Sequence, residues 1–297
     1  MSTILYIVGF LLFLNGAYQL AKYLIVISEI KKKFFIDKAK SHPEKPHKIF
    51  ILVPVLHEEK NVEKFLADLS CQDYPKDCYE VYIITTEREL LGNTKPNTVD
   101  ILKQIISEKK FSELQLTRIH YPGTHGFKTH QLDFAFNQIL KNIGDAAVSQ
   151  SFYLFLDADS EVDVNTLRRF NDSIEDGTEI YQQPLLWFKN IDALKSPLMQ
   201  SFAFLQSFFS VSYEIPMFTG RFFPWRLKYF VGHGLLVRGS FLIRVGGFPG
   251  IIEDVRLGRL SSFLNIKAKL VPGFGIVETA KSFSTYLSHG AHYYPAP

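Results

Sequence analysis

Asp157 and Asp159 stand one residue apart, directly after the apolar run Phe152-Tyr-Leu-Phe-Leu156. Such a run is what a strand buried on both faces requires, so the two carboxylates fall at a strand's carboxyl end. That edge of an open α/β sheet is where ligands bind, and paired hard oxygen donors there suit a Mg²⁺ or Mn²⁺ ion carrying substrate phosphates. The triplet alone is a weak signal, expected by chance about once in a chain this long. Its structural alternative is a solvated turn in which Asp159 or Ser160 caps the following helix.

The elements that would position these carboxylates follow from the apolar pattern. Of the 297 residues, Ile4–Ile27 form a nearly unbroken apolar run interrupted only by Asn15, Gln19 and Lys22. A helix needs about 20 residues to cross about 30 Å of hydrocarbon, so residues 1–30 read as a retained transmembrane anchor. Met1–Thr3 lack the basic segment of a cleaved leader. Between Lys31 and Lys48 seven lysines face Asp37 and Glu44, a local balance of plus five against plus three overall. That basic linker, residues 31–47, predicts a cytoplasmic location for the chain after it and contact with anionic lipid rather than with nucleic acid. Cys71 and Cys78 are too few for a disulfide framework and are expected to be free thiols.

Beyond the linker, strand and helix patterns alternate. Ile49–Val55, Tyr79–Ile84, Leu114–His120 and the run at Phe152 read as strands; Glu58–Leu69, Val99–Ile106 and Thr129–Leu140 read as helices. The expected fold class is α/β, a mixed sheet flanked by helices. Later, Leu198, Phe202, Leu205, Phe208 and Phe209 recur at helical spacing, followed by Phe222, Phe223, Trp225 and Tyr229 among Arg221, Arg226 and Lys228. That stripe fits either core or a helix lying at a membrane interface. Phe230–Val237, with Gly232-His-Gly234, reads as a strand that lets a ligand approach the backbone, and His233 as an acceptor contact or a structural histidine.

These residues carry a family resemblance. Ile51-Leu-Val-Pro-Val-Leu-His-Glu-Glu59, Cys71-Gln-Asp-Tyr-Pro75, Gly126-Phe-Lys-Thr-His-Gln131, Asp157-Ala-Asp159, Val245-Gly-Gly-Phe-Pro249 and Ile252-Glu-Asp-Val-Arg256 occur in the order found in family 2 glycosyltransferases of the GT-A fold. The match covers roughly residues 48–293, and its membrane-anchored branch, related to cellulose synthase-like and ceramide glucosyltransferase-like enzymes, is the one resembled. The resemblance implies a catalytic domain at 48–297, with a nucleotide-sugar half (48–160) and an acceptor half (161–297). It implies Pro54, Glu58, Glu87, Lys128, Asp157, Asp159 and Gln183 as donor-binding residues, Asp157 and Asp159 holding the metal, and Glu253 and Asp254 as the acidic pair with the catalytic base.

Each position also has a physical reading. Lys128, beside a helix start, can offset phosphate charge together with backbone N–H groups, or be a surface lysine. Asp254 can take a proton from an acceptor hydroxyl, or be a helix-capping acid, a role open to Glu253 as well. The sequence departs from the family where relatives place a base-reading aspartate: here stand Thr85-Thr-Glu87-Arg-Glu89, with Glu87 as a stand-in. His289-Gly-Ala-His292-Tyr293 occupies the place of the processive Gln-X-X-Arg-Trp motif, and histidine cannot supply arginine's fixed donor fork. These positions are assigned to acceptor contact or gating.

The expected function is inverting, metal-dependent transfer of a single sugar from a nucleotide sugar, UDP-linked by family custom, to a membrane lipid or lipid-linked glycan at the cytoplasmic face. The alternatives are a polysaccharide synthase subunit with a membrane-protein partner supplying further spans, and a non-catalytic membrane scaffold. A phosphatase built on Asp-X-Asp would place Thr or Val where Glu161 stands.

Overall fold

The structure, a computed structural model, describes residues 2–34, 45–91, 95–219, 227–248, 250 and 252–285. In chain order the elements are α1 (Ser2–Phe34), β1 (Ile49–Pro54), α2 (Val62–Ser70), β2 (Tyr79–Thr86), α3 (Thr98–Ser107), β3 (Leu116–Tyr121), α4 (Lys128–Gln150), β4 (Phe152–Phe155), α5 (Thr166–Ser173), β5 (Thr178–Gln182) and β6 (Leu185–Leu186). They continue with α6 (Pro197–Phe209), a π-turn (Ser210–Glu214), α7 (Ile215–Thr219), β7 (Leu235–Arg238), α8 (Gly239–Val245), α9 (Glu253–Phe263), β8 (Lys267–Leu270) and β9 (Gly275–Ile276).

Seven strands form one sheet in the order β3-β2-β1-β4-β7-β5-β8, and β6 pairs with β9 apart from it. β3, β2, β1 and β4 run parallel, while β7 is antiparallel to both neighbours. β1 shows why the sheet sits at the centre. Ile49, Ile51 and Val53 pack on one face against Phe65, Leu102 and Phe170. Phe50 and Leu52 pack on the other against Leu132, Phe136, Phe241 and Leu257. Both faces are covered, so the strand is apolar without alternation. Burying each such side chain contributes about 1.5–3 kcal/mol.

Chain order reverses between β1 and β4: β2 and β3 extend the sheet one way and β4 the other. A crevice opens outside the carboxyl ends of strands at such a switch point. The loops after β1 and β4, carrying Pro54–Glu59 and Asp157–Asp159, meet there.

Three boundaries differ from expectation by more than two residues. The first domain helix starts at Val62, because residues 58–61 form a turn closed by Glu58, whose carbonyl accepts from Asn61 and Val62 N–H. α4 runs on to Gln150, past a break at Gly144, where φ is 79°. Phe230–Gly234 is not strand; the strand begins at Leu235. In α1, Tyr6–Lys32 is long and apolar enough to cross a membrane. Phe13 and Leu24 are exposed, Val26 is buried, and the Tyr23 ring lies 5.6 Å from that of Phe208 on α6. Arg221, Phe222, Phe223, Trp225 and Arg226, and the gating candidates His289, His292 and Tyr293, lie outside the described residues.

Candidate active site

A cavity of about 330 Å³ at the switch point is lined by Lys128, Asp157, Asp159, His233, Glu253 and Asp254, among others. Residues as far apart in sequence as Lys128 and Asp254 thus share one cleft. β4 delivers the aspartates, the amino end of α4 delivers Lys128, and the first turn of α9 delivers the acid pair. Carboxylates in a helix's first turn are favoured by its dipole.

Lys128 is the hub. Its Nζ donates to Asp157 Oδ1 and, at 2.9 Å, to the carbonyl of Gly232. Gly232 is where the two halves touch. A Cβ at that position would lie 3.1 Å from Glu253 Oε1, 3.3 Å from Asp254 Oδ2 and 3.5 Å from Lys128 Nζ. Only a residue without a side chain leaves the acid pair this close to the backbone. Gln182 holds the segment in place: its Nε2 donates to the His233 carbonyl at 2.9 Å, and its Oε1 accepts from Val231 N–H at 2.9 Å. Those side-chain bonds stand in for a ladder over 231–233, while Gly234 keeps backbone bonds to Phe155 and Gln183.

Burial and neighbouring charge set the protonation states. Burial raises the Asp157 carboxyl, but the Lys128 ammonium outweighs it and holds the group below the ordinary carboxylate range. Asp159 is pushed up to about 6 by burial and by Asp157 and Glu278. Glu58 is pushed up to about 7, chiefly by burial, with Asp159, Asp157 and Glu278 adding to it. Four carboxylates therefore crowd one corner. Lys189, which bonds the Asp159 carbonyl and lies 3.6 Å from Glu278, offsets them only in part. Hard oxygen donors short of positive charge fit a divalent cation.

On the opposite side, Glu253 Oε2 accepts from the Thr129 hydroxyl at 2.8 Å. Asp254 is pushed up to about 6 by burial and by Glu253. His233 is forced down to about 4 by burial, so the ring is neutral; its Nδ1 accepts from Asp157 N–H at 3.0 Å, which leaves the proton on Nε2.

Other donor candidates are placed differently. Glu87 pairs with His120 Nε2 at 2.7 Å, and Arg88 beside it lines the cavity, its Nη1 donating to the Gly126 carbonyl at 2.8 Å. Pro54 ends β1, and Gln183 is buried against Gly234, its backbone N–H donating to that residue's carbonyl at 2.8 Å. Sequence reading did not single out Arg88, Trp187 or Glu278, which line the cleft, or Lys189 and Gln182. Arg88 sits next to a marked position and Trp187 is one of two tryptophans; Glu278 reaches the site only because β9 pairs with β6. His57, Glu59 and Glu89 also cluster, within 4.8 Å. There Glu89 spends both oxygens on backbone, accepting from His57 N–H at 2.7 Å and Thr98 N–H at 2.9 Å. A cavity of about 340 Å³ beside Asp172, Phe218 and Pro272 brings no comparable acid pair together among the described residues.

The mannosyltransferase PcManGT from Pyrobaculum calidifontis, solved with GDP-Man and Mn²⁺, superposes on this structure with a TM-score of 0.58 over 94% of this chain and 70% of its own, at 16% identity. The chain has the GT-A glycosyltransferase fold. S. aureus TarS in complex with UDP-GlcNAc aligns with a TM-score of 0.49 over 80% of this chain and 60% of its own, also at 16% identity. In sequence, the chain is 31% identical over 94 residues to the dolichyl N-acetyl-alpha-D-glucosaminyl phosphate 3-beta-D-2,3-diacetamido-2,3-dideoxy-beta-D-glucuronosyltransferase of Methanococcus voltae. That match spans 32% of this chain and 25% of the relative's length. No protein-family model matches the sequence. In this GT-A chain the expected central sheet and flanking helices are present, and the cleft lies at the sheet edge that the apolar run before Asp157 marks.

Proposed function

We propose that the protein is a membrane-anchored, inverting glycosyltransferase that moves one sugar from a nucleoside diphosphate sugar to a membrane lipid or lipid-linked acceptor at the cytoplasmic face. The single observation that carries this reading is the convergence of Asp157, Asp159, Lys128 and Asp254 on one cavity. The M. voltae relative is named for a dolichyl-linked acceptor, which favours lipid as the acceptor class here. The apolar α1 keeps the cleft near headgroups.

Asp157 and Asp159 would hold a divalent cation, with Glu278 and Glu58 adding negative charge. Mn²⁺ or Mg²⁺ bound there would supply Lewis-acid neutralisation of the diphosphate. Lys128, at the amino end of α4, contributes a second positive charge to the leaving group. Asp254 accepts the proton of the acceptor hydroxyl as its oxygen bonds to the anomeric carbon; the bond from that carbon to the phosphate oxygen breaks, and the nucleoside diphosphate leaves with the electron pair. One displacement inverts the anomeric centre. Thr129 occupies one Glu253 oxygen and Val255 N–H one Asp254 oxygen, so the choice of Asp254 as the base rests on the family resemblance.

A nucleotide-release screen over UDP and GDP sugars, with membrane lipid extract as acceptor, tests the reading. Expected is release that needs both donor and lipid, stops with EDTA and returns with Mn²⁺. Equal release with soluble sugars would remove the lipid acceptor from the account. Nucleotide binding with no release from any donor would favour a scaffold.

A further inference from the structure

One wall of the cleft hangs from α6. Leu185 and Trp187 line the cavity, yet β6 is only two residues long. On one edge it pairs with β9, accepting from Gly275 N–H at Pro184 O and from Val277 N–H at Leu186 O, both at 3.0 Å. On its other edge the N–H groups point to no strand. Leu185 N–H donates to Ser210 Oγ at 3.2 Å, and Trp187 N–H to Ser207 Oγ at 2.9 Å. A two-residue ribbon has no independent stability, so these hydroxyls help to hold the wall, together with the Thr279 hydroxyl, which donates to the Trp187 carbonyl at 2.9 Å.

Ser207 and Ser210 are three positions apart, on one helix face, and are 4% and 1% exposed. The Ser210 hydroxyl is oriented by donating its proton to buried Glu214 Oε2 at 2.5 Å, which leaves its lone pairs for Leu185. The other side of α6 exposes Leu198, Phe204, Leu205, Phe208 and Phe209. Phe208 meets Tyr23 of α1, so this apolar face is continuous with the membrane-crossing helix. On the membrane-anchored reading, that continuity makes the lipid bilayer the occupant of the face.

We infer that Ser207 and Ser210 are positioning residues that couple the bilayer to the cleft, so that the seating of α6 on lipid sets the position of the Leu185–Trp187 wall. The inference rests on the membrane-anchored reading but requires no sugar transfer. With the chain held at the bilayer by α1, the Leu185–Trp187 side of the cleft takes its working shape only when α6 lies flat on the same surface.

The test uses the full chain in detergent micelles and in phosphatidylcholine–phosphatidylglycerol nanodiscs, reading amide hydrogen exchange over residues 184–188 and, in a Trp225→Phe background, acrylamide quenching of Trp187. Expected for the parent is slower exchange and weaker quenching in nanodiscs. Ser207→Ala with Ser210→Ala should speed exchange of those amides roughly fivefold and erase the difference between micelle and nanodisc, while β1 and β4 amides stay protected. Ser207→Thr, which keeps a hydroxyl, should restore it. Phe204→Gln with Leu205→Gln, which leaves both serines intact, should also erase the lipid effect. Identical exchange in the alanine variants and the parent, or no difference between micelle and nanodisc in the parent, would overturn the inference. The readout is independent of turnover, so absence of transfer activity would count against the proposed enzyme and not against this coupling.

Discussion

Asp254 carries its proton at an unusually high pH because burial and Glu253 both disfavour its charge. In its proposed role as general base it must be ionised, so turnover should rise with pH through about 6 and level off above it; a rate profile flat from pH 5 to 8 would remove Asp254 from that role. The same shift has a stability consequence. A carboxyl whose folded pKa is raised stabilises the fold most below its unfolded value and loses that contribution as pH climbs through about 6. Asp254→Asn should therefore abolish turnover yet raise the Tm at pH 7.5, with no gain at pH 4, as thermal unfolding at the two pH values would show. Gly232→Ala should cost at least tenfold in kcat/KM, because the added carbon enters the 3.1–3.5 Å space among Glu253, Asp254 and Lys128. Steady-state kinetics of Gly232→Ala, beside an end-point turnover assay of Asp254→Asn, separate these roles. At this scale the sequence shows which residue types can do chemistry but not which way they face: Glu87 and Arg88 are adjacent, and only the His120 pairing shows that Glu87 is engaged while Arg88 lines the cleft.

The elements that present these side chains were legible where burial is two-sided or periodic. β1 and β4 announce themselves as apolar runs, and α2 and α4 by their stripes. What escaped are boundaries set by distant partners. The Gln182 side chain, about fifty residues away, holds 231–233 out of strand geometry, and the β6–β9 ribbon is bonded to Ser207 of α6 and Ser210 of the π-turn after it. No local pattern encodes either. Because β4 carries the aspartates, its packing bears on function as well as stability. Phe155, 2% exposed, packs edge-on against Phe248 at 5.1 Å. Phe155→Ala should cost about 3–5 kcal/mol in denaturant unfolding. It should also weaken Mn²⁺ binding; a loss below about 1 kcal/mol would mean that the face between β4 and α8 packs less tightly than the structure shows.

At the scale of the molecule, α1 and the exposed side of α6 form one apolar surface, with the cleft wall suspended behind it. Membranes washed with alkaline carbonate should retain the full chain and release a version lacking residues 2–30; retention of both would assign the attachment to α6 alone. The fold was readable because alternation of apolar strands and striped helices admits few arrangements, and the edge that holds the cleft follows from chain reversal between β1 and β4. The meeting of Asp159 with Asp254, ninety-five residues on, follows from no apolar or helical pattern; only the family resemblance implied it, and the structure brings both to one cavity. The most direct measurement is calorimetric titration of the active donor, with Mn²⁺, into the parent, Asp159→Asn and Asp254→Asn, alongside turnover of each. The account predicts that neither variant turns over and that only Asp254→Asn binds donor and Mn²⁺ as the parent does. Full turnover by either variant, or loss of Mn²⁺-dependent donor binding in Asp254→Asn with retention in Asp159→Asn, would contradict it.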